Sequence, residues 1–173
     1  MRQLFGIRSK ETISYMKIAK IIFSDVDLTN KNANYSTRRI MDNDLTELMQ
    51  ELSSIGYCQL GNAIITRGTS QETSHTIFVP IVNSQNPEDR MYGSLFHQAM
   101  RAALTLAKLY GVGTLVAELP SWDEEKTIYN LRSWGILLKR AIKPPLDRKN
   151  MVNVIDSVSK EYPGIMIRMD YLP

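Results

Sequence analysis

Residues 94–120, SLFHQAMRAALTLAKLYGVGTLVAELP, give the most direct indication of the fold. The part up to Tyr110 is rich in Ala and Leu with apolar residues at helical spacing, so we expect a long helix over 92–110. Gly111 is a typical helix stop, and TLVAEL at 114–119 is typical of a buried strand. Alternation of helix and strand here favours a parallel sheet.

The same patterns, followed outward in both directions, predict the other helices and strands. Before the long helix they are a strand over 17–24, a helix from 36 or 42 to 54, and strands over 62–66 and 76–82. After residue 119 they are a helix from 121 or 123 to about 141, a helix over 150–161 and a strand over 164–169. We therefore expect a single α/β domain over residues 1–173, with three layers (α/β/α) around a mixed, partly parallel sheet.

Three local features carry specific expectations. Pro80 interrupts the run TIFVPIV, so this strand lies at a sheet edge or carries a bulge. The polar link 67–75 is short enough to join the two preceding strands as a hairpin. Acidic residues at 123–125 and basic residues at 139–140 would complement the dipole of a helix between them.

Composition excludes several kinds of site. A formal net charge of +3 permits a phosphate-bearing partner without requiring one. The single cysteine, Cys58, excludes an internal disulfide and a cysteine-rich zinc site. Because His75 and His97 are the only histidines, we expect no metal and no cofactor.

Composition also bears on location and partners. No apolar run approaches the ~20 residues that a membrane helix needs. No segment has the pattern of a targeting sequence, so we expect a cytoplasmic protein that does not contact a membrane. The sequence does not determine the oligomeric state, and a homo-oligomer remains open.

The middle of the chain, residues 56–120, contains GYCQLGNAIITRG (56–68), TIFVPIV (76–82) and a helix–glycine–strand–proline order over 94–120. This stretch resembles the macro domain family, which includes the related N-terminal domain of leucine aminopeptidases. Upstream, KIIFSDVDLT (20–29) is similar to the family's first strand with its Asp-Ile-Thr ending. NKNAN (30–34) resembles the family's Asn-Ala-Ala-Asn turn.

The resemblance implies binding of ADP-ribose or a related nucleotide beyond the carboxyl ends of the strands. The residues that we place there are Asp25, Asn32, Asn34, Ser121 and Trp122. The family's two glycine-rich loops are missing, since 34–44 has no glycine and 120–125 reads PSWDEE. Glycines let backbone N–H groups approach phosphate closely, so a non-catalytic binder, or a scaffold without a ligand, is favoured over a hydrolase.

A second resemblance points to a different chemistry. IIFSDVDLTN (21–30) is similar to the Asp-x-Asp-x-Thr motif of haloacid-dehalogenase-type phosphatases, which use Mg²⁺. It implies Asp25 as nucleophile and Asp27 as acid/base, with Thr29 completing the motif and Thr66 as a phosphate-holding hydroxyl. The family's later metal-binding motif is missing.

A third hypothesis is a protein- or RNA-interaction module. A basic cluster flanks Pro144 and Pro145, and its members are Lys139, Arg140, Lys143, Arg148 and Lys149. The cluster is not interleaved with aromatic residues, so a solvated turn is favoured. Nucleic acid is therefore a permitted partner that the sequence does not specifically indicate.

Overall fold

The computed structural model describes residues 17–29, 46–70, 72–86, 88–89, 91–119, 128–133, 136–141 and 146–171. Within these ranges the chain forms seven strands and three helices. In chain order they are β1 (Lys17–Asp25), α1 (Thr46–Ile55), β2 (Ile64–Ser70), β3 (Thr73–Val82), α2 (Gly93–Leu109), β4 (Val112–Leu119), β5 (Ile128–Ser133), β6 (Ile136–Ala141), α3 (Arg148–Ser159) and β7 (Met166–Tyr171).

Five strands form one mixed sheet in the order β2-β3-β1-β4-β7. β1 pairs in parallel with β3 and with β4, and β4 pairs in parallel with β7. β2 pairs antiparallel with β3, as the hairpin prediction requires. The parallel strands β1, β3, β4 and β7 therefore end at one edge of the sheet, called the carboxyl edge below. They begin at the opposite edge, called the amino edge.

Both faces of the sheet are covered by helices, which confirms the expected three layers. On one face, alternate residues of β1, namely Ala19, Ile21 and Phe23, are fully buried in a core shared with α2 and α3. On the other face Ile22 and Phe78 belong to a smaller core with residues of α1. Successive side chains of a strand point to opposite faces of the sheet, so neighbouring residues of β1 belong to different cores.

Two glycines end the first two helices, as the sequence indicates. Gly56 follows α1 and Gly111 follows α2, and each has φ of 72°. This left-handed backbone is costly for residues with a Cβ, so glycine lets the chain turn sharply toward the next segment. Of the described helices, none combines the length and apolar character needed to cross a membrane.

Pro80 lies in an interior strand and is accommodated by a bulge. β3 lies between β2 and β1, so the edge-strand alternative is wrong. The register changes from Ser24 opposite Pro80 to Asp25 opposite Val82, which leaves one extra residue on β3. The bulge alternative is therefore confirmed, and it sits where β3 leaves the sheet at the carboxyl edge.

The helix predicted from 121 or 123 to 141 is wrong. The structure has a separate two-stranded antiparallel ribbon, β5–β6, in which Ser133 pairs with Ile136. The sequence has glycine at position 135, and inside a helix glycine would cost about 1 kcal/mol relative to alanine.

Candidate functional site

The carboxyl edge collects the ends of four parallel strands and the beginnings of two helices. Because α2 leads directly into β4 at the amino edge, its first turn lies at the carboxyl edge, and α3 runs toward β7 in the same way. Helix N-termini carry a partial positive charge. Asp147 caps α3 by accepting the Asn150 N–H at 2.7 Å, whereas Tyr92 makes no side-chain cap for α2.

Asp25, the last residue of β1, is a buried carboxylate at this edge. It is 1% exposed. Its Oδ1 accepts the backbone N–H of Ser84 at 3.0 Å, and its Oδ2 accepts the Ser84 hydroxyl at 2.5 Å. A buried polar group is costly unless hydrogen bonds of this kind satisfy it. Asp25 therefore fastens the loop after β3 to the end of the central strand.

The loop that contains Ser84 has its own internal order. Asn83 Oδ1 accepts the backbone N–H groups of Gln85 at 3.1 Å and Asn86 at 3.2 Å. Asn83 Nδ2 donates to Asp89 Oδ2 at 3.1 Å. Sequence analysis missed Ser84 because its partner is 59 residues away. The sequence does contain a local signal for the turn itself, because Asn83 begins a polar loop and asparagine is typical of an Asx turn at such a position.

Tyr171 and Arg148 form a second feature of the carboxyl edge. Tyr171 ends β7 and is 57% exposed. The guanidinium carbon of Arg148, the first residue of α3, lies 5.0 Å from the centre of the Tyr171 ring. β7 is two strands from β1 in the sheet, a separation of roughly 10 Å. The predicted strand ended at residue 169, so sequence analysis missed this tyrosine.

The structure does not bring together the residues of the phosphatase hypothesis. Thr66 pairs with Thr76, whereas Asp25 pairs with Val82, so six residues of β3 separate them, roughly 20 Å. Thr66 instead donates its hydroxyl hydrogen bond to the carbonyl of Thr76 at 3.3 Å. Among the described residues, no group of three or more His, Cys, Asp or Glu is placed to hold a metal ion.

Asp27 has a local structural contact. Its Oδ1 accepts the backbone N–H of Thr29 at 2.9 Å and the Thr29 hydroxyl at 2.6 Å. This turn directly follows β1, and the backbone of Asp27 forms an isolated antiparallel bridge with Tyr57. These contacts shape the chain as it leaves the sheet.

Of the five residues placed in the ligand cleft from the sequence, Asp25 lies at the carboxyl edge. Asn32, Asn34, Ser121 and Trp122 lie outside the described residues. In the chain, Ser121 and Trp122 follow shortly after Leu119, the last residue of β4, which neighbours both β1 and β7.

Cys58 is ill-suited to nucleophilic chemistry at neutral pH. It belongs to the small core beneath α1, and burial raises the pKa of its thiol to about 11. The thiolate, which is the reactive form, is therefore scarce near pH 7.

The fold of this chain matches solved structures at low sequence identity. It is similar to the macro domain of ganglioside induced differentiation associated protein 2, with 15% identity, a TM-score of 0.62, and coverage of 88% of this chain and 69% of that chain. It is also similar to the Oceanobacillus iheyensis macrodomain solved with ADP, with 13% identity, a TM-score of 0.63, and coverage of 91% and 77%.

A third match is the Trypanosoma brucei macrodomain solved with ADP-ribose, with 12% identity and a TM-score of 0.60. The match covers 90% of this chain and 58% of that chain. The chain has the macrodomain fold. No protein-family sequence model matches it, and comparison with curated protein sequences finds no match.

The macrodomain fold confirms the resemblance to macro domains as a likeness of fold. The part of the resemblance that rests on residues 30–34 lies outside the described residues. The fold also sharpens one departure from the family pattern. Where the resemblance predicts a glycine-rich loop after β4, this chain has the segment that contains the β5–β6 ribbon.

Proposed function

We propose that this macrodomain-fold protein binds ADP-ribose or a related nucleotide at the carboxyl edge of its sheet. The observation that carries the proposal is the pairing at one edge of a buried, anchored carboxylate with an exposed tyrosine beside an arginine. Two structures with the same fold, from Oceanobacillus iheyensis and Trypanosoma brucei, were solved with ADP and ADP-ribose. Their ligands support a nucleotide-type small molecule here.

Each feature of the edge suits one part of such a ligand. Tyr171 presents an exposed aromatic surface on which an adenine ring can stack, and base–aromatic stacking contributes about 1–3 kcal/mol. The loop fixed by Asn83 and Ser84 lies beside the end of β1 and forms an ordered border of the proposed cleft. We place Asn32, Asn34, Ser121 and Trp122 at the same cleft as further ligand-binding residues.

We favour binding over catalysis. The Asp25 carboxylate is held by the Ser84 N–H and hydroxyl, so it serves as a structural anchor rather than as a base that activates water. A scaffold that has lost its ligand is the alternative with the same fold. The phosphatase hypothesis lacks the geometry that it needs, because Thr66 and Asp25 are far apart along the sheet.

A thermal-shift series tests the proposal and its alternatives. Ligands are ADP-ribose, NAD, ATP, AMP, and Mg²⁺ with inorganic phosphate. A hundredfold excess of ADP-ribose over its dissociation constant should stabilise the fold by about 3 kcal/mol. No shift with any nucleotide would favour the scaffold, and a shift only with Mg²⁺ and phosphate would contradict the proposal in favour of a phosphatase.

Three expectations from the sequence remain predictions: a single domain over residues 1–173, a cytoplasmic location, and a homo-oligomer as an open alternative to a monomer. Light scattering after size-exclusion chromatography measures the oligomeric state. If the basic cluster around residues 139–149 contacts RNA, its affinity should fall steeply with salt, because counterions are released on binding.

A further inference from the structure

The two outermost strands of the five-stranded sheet, β2 and β7, differ in regularity. The pairing of β2 with β3 is interrupted by a register shift between Arg67 and Ser70. The pairing of β7 with β4 continues without a shift from Met166 to Tyr171. Among the described residues, no strand pairs with the outer side of β7. β7 therefore presents a regular row of backbone N–H and C=O groups with which another strand can pair.

β7 lacks the features that usually block a sheet edge. Proline, a bulge or a row of lysines prevents edge-to-edge pairing in many proteins. The strand MIRMDY contains neither proline nor lysine, and its one cation, Arg168, is followed two residues later by Asp170. Arg168 Nε donates to Asp170 Oδ1 at 3.2 Å, and Nη2 donates to Oδ2 at 3.3 Å. The charges of β7 therefore cancel within the strand and do not repel every approaching chain.

The charged side chains of β7 lie on its exposed face. Ile167 and Met169 pack against the core that the sheet shares with α2 and α3. Because side chains alternate along a strand, Arg168 and Asp170 lie on the opposite face. Their side chains are 66% and 45% exposed, respectively. Both charged groups are therefore accessible to a chain that pairs with the outer side of β7.

A second copy of the same strand is complementary to β7 in an antiparallel register centred on Met169. In that register Met169 lies opposite Met169 of the second copy, Arg168 lies opposite its Asp170, and Asp170 lies opposite its Arg168. Opposite charges that face each other directly across an antiparallel pair are stabilising. A register centred on Arg168 or on Asp170 places like charges opposite each other, which is destabilising. The order of charges along β7 thus favours pairing about Met169.

We propose that the outer edge of β7 is an interaction surface for a second copy of this protein, which pairs antiparallel with it about a two-fold axis at Met169. The interface is isologous, because each copy offers the same strand to the other. Two five-stranded sheets then form one continuous sheet. The Tyr171 ring lies beside Arg148 on the α3 side, whereas the paired charges lie on the other face. The proposal therefore does not depend on the ligand proposed for the carboxyl edge.

Sedimentation velocity over a series of protein concentrations tests the proposal through charge reversal. We expect the wild type to show a concentration-dependent equilibrium between monomer and dimer. R168E places a carboxylate opposite Asp170 of the second copy at both ends of the pairing, and D170K likewise places cations opposite each other. Each variant alone should therefore have a dimer dissociation constant raised about tenfold or more.

Two further samples test whether these charges face each other. In an equimolar mixture of R168E and D170K, opposite charges meet again at both ends of the pairing, so a mixed dimer should form about as tightly as the wild-type dimer. The double variant R168E/D170K should pair with itself for the same reason. R67E is the matched control, because Arg67 is an exposed arginine of the other outermost strand that also pairs with acidic side chains. It should leave the equilibrium unchanged.

A wild type that stays monomeric at every concentration would overturn the proposal. A dimer that R168E and D170K leave intact, or that R67E weakens as much, forms through another surface and would overturn it too. Failure of both the mixture and the double variant to recover the dimer would exclude the register centred on Met169. Circular dichroism checks that each variant is folded, which the exposure of Arg168 and Asp170 favours. None of these measurements uses ADP-ribose, so their outcome is independent of the proposed function.

Discussion

The two edges of the sheet carry similar residues in different arrangements. At the amino edge, Tyr110 is 46% exposed and packs edge-on against His75, with ring centres 5.3 Å apart. There Lys17 Nζ donates to the carbonyl of Tyr110 at 3.3 Å, just after α2 ends. The ammonium group of Lys17 thus interacts with the negative C-terminal end of α2 within the same protein.

At the carboxyl edge α2 and α3 begin, so the positive ends of these two helices lie there instead. The buried Asp25 is used to hold a loop, and the exposed Tyr171 stands beside Arg148. The difference follows from the topology, because α2 and α3 each precede a parallel strand and therefore run from the carboxyl edge to the amino edge. α1 precedes the antiparallel strand β2 and ends near the carboxyl edge, where Leu28 donates its N–H to the Gly56 carbonyl at 3.1 Å. At the amino edge Lys17 neutralises the end of α2, whereas the carboxyl edge has two helix N-termini, which suit the anionic ligand that we propose.

The largest expected effect separates two aspartates near the end of β1. Asp25→Ala should lower the free energy of unfolding by about 3 kcal/mol, because the Ser84 N–H and hydroxyl would lose a buried charged acceptor. Asp27→Ala removes a turn contact to Thr29 near the surface and should cost about 1 kcal/mol. Urea unfolding curves measure both, and equal losses would show that Asp25 is not an anchor.

The next effect compares the two exposed tyrosines. Tyr171→Ala should weaken ADP-ribose binding by about tenfold or more, since stacking of a base on an aromatic ring contributes about 1–3 kcal/mol. Tyr110→Ala makes the same truncation at the amino edge and should leave the affinity unchanged. Titration calorimetry gives both values. A comparable loss in the two variants would mean that the tyrosines act through stability rather than by contacting the ligand.

A smaller effect concerns His75 at the amino edge. Burial, and then the charge of Lys17, lower the pKa of His75 below its usual value. The unfolded chain therefore takes up a proton at a higher pH than the folded protein, so stability is lost as the pH falls through about 6.5. His75→Gln should lessen the loss of stability between pH 7.5 and 5.5. An unchanged loss would contradict this assignment, and NMR titration of the imidazole reports its pKa directly.

The smallest expected effect concerns the reactivity of Cys58, which lies in the small core beneath α1. Because burial raises the thiol pKa of Cys58 to about 11, a thiol reagent at pH 8 should label the folded protein slowly. Labelling should become fast in denaturant, in step with unfolding. Rapid labelling of the folded protein would show that this side of the sheet opens more readily than its packing indicates.

Much of the sheet could be predicted from the sequence because each of its elements has a strong local pattern. Residues 94–120 predict α2, Gly111 and β4 in order. Pro80 predicts either an edge strand or a bulge in β3, and the structure has the bulge. The sequence predicts a helix over 121–141 because its acidic residues at 123–125 and basic residues at 139–140 complement a helix dipole, and this prediction is wrong. The strands of this segment become recognisable only through the antiparallel pairing of β5 with β6, in which Ser133 lies opposite Ile136.

The candidate site was less predictable because its contacts join distant parts of the chain. Asp25 was identified because it directly follows a clear strand. Ser84 was not, since nothing in the loop after β3 shows that it meets Asp25. Tyr171 depends on the order of strands in the sheet, which brings β7 beside β4 and close to β1. Such neighbours are fixed by tertiary pairing rather than by local pattern.

The most direct test of the account is an ADP-ribose titration followed by backbone amide NMR spectra. The account predicts that the signals of Ser84 and Tyr171, at the carboxyl edge, move in proportion to occupancy. The signals of Ser74 and Gly111, at the amino edge, should stay in place. Movement confined to Ser74 and Gly111, or no movement at saturating ADP-ribose, would contradict a nucleotide site at the carboxyl edge.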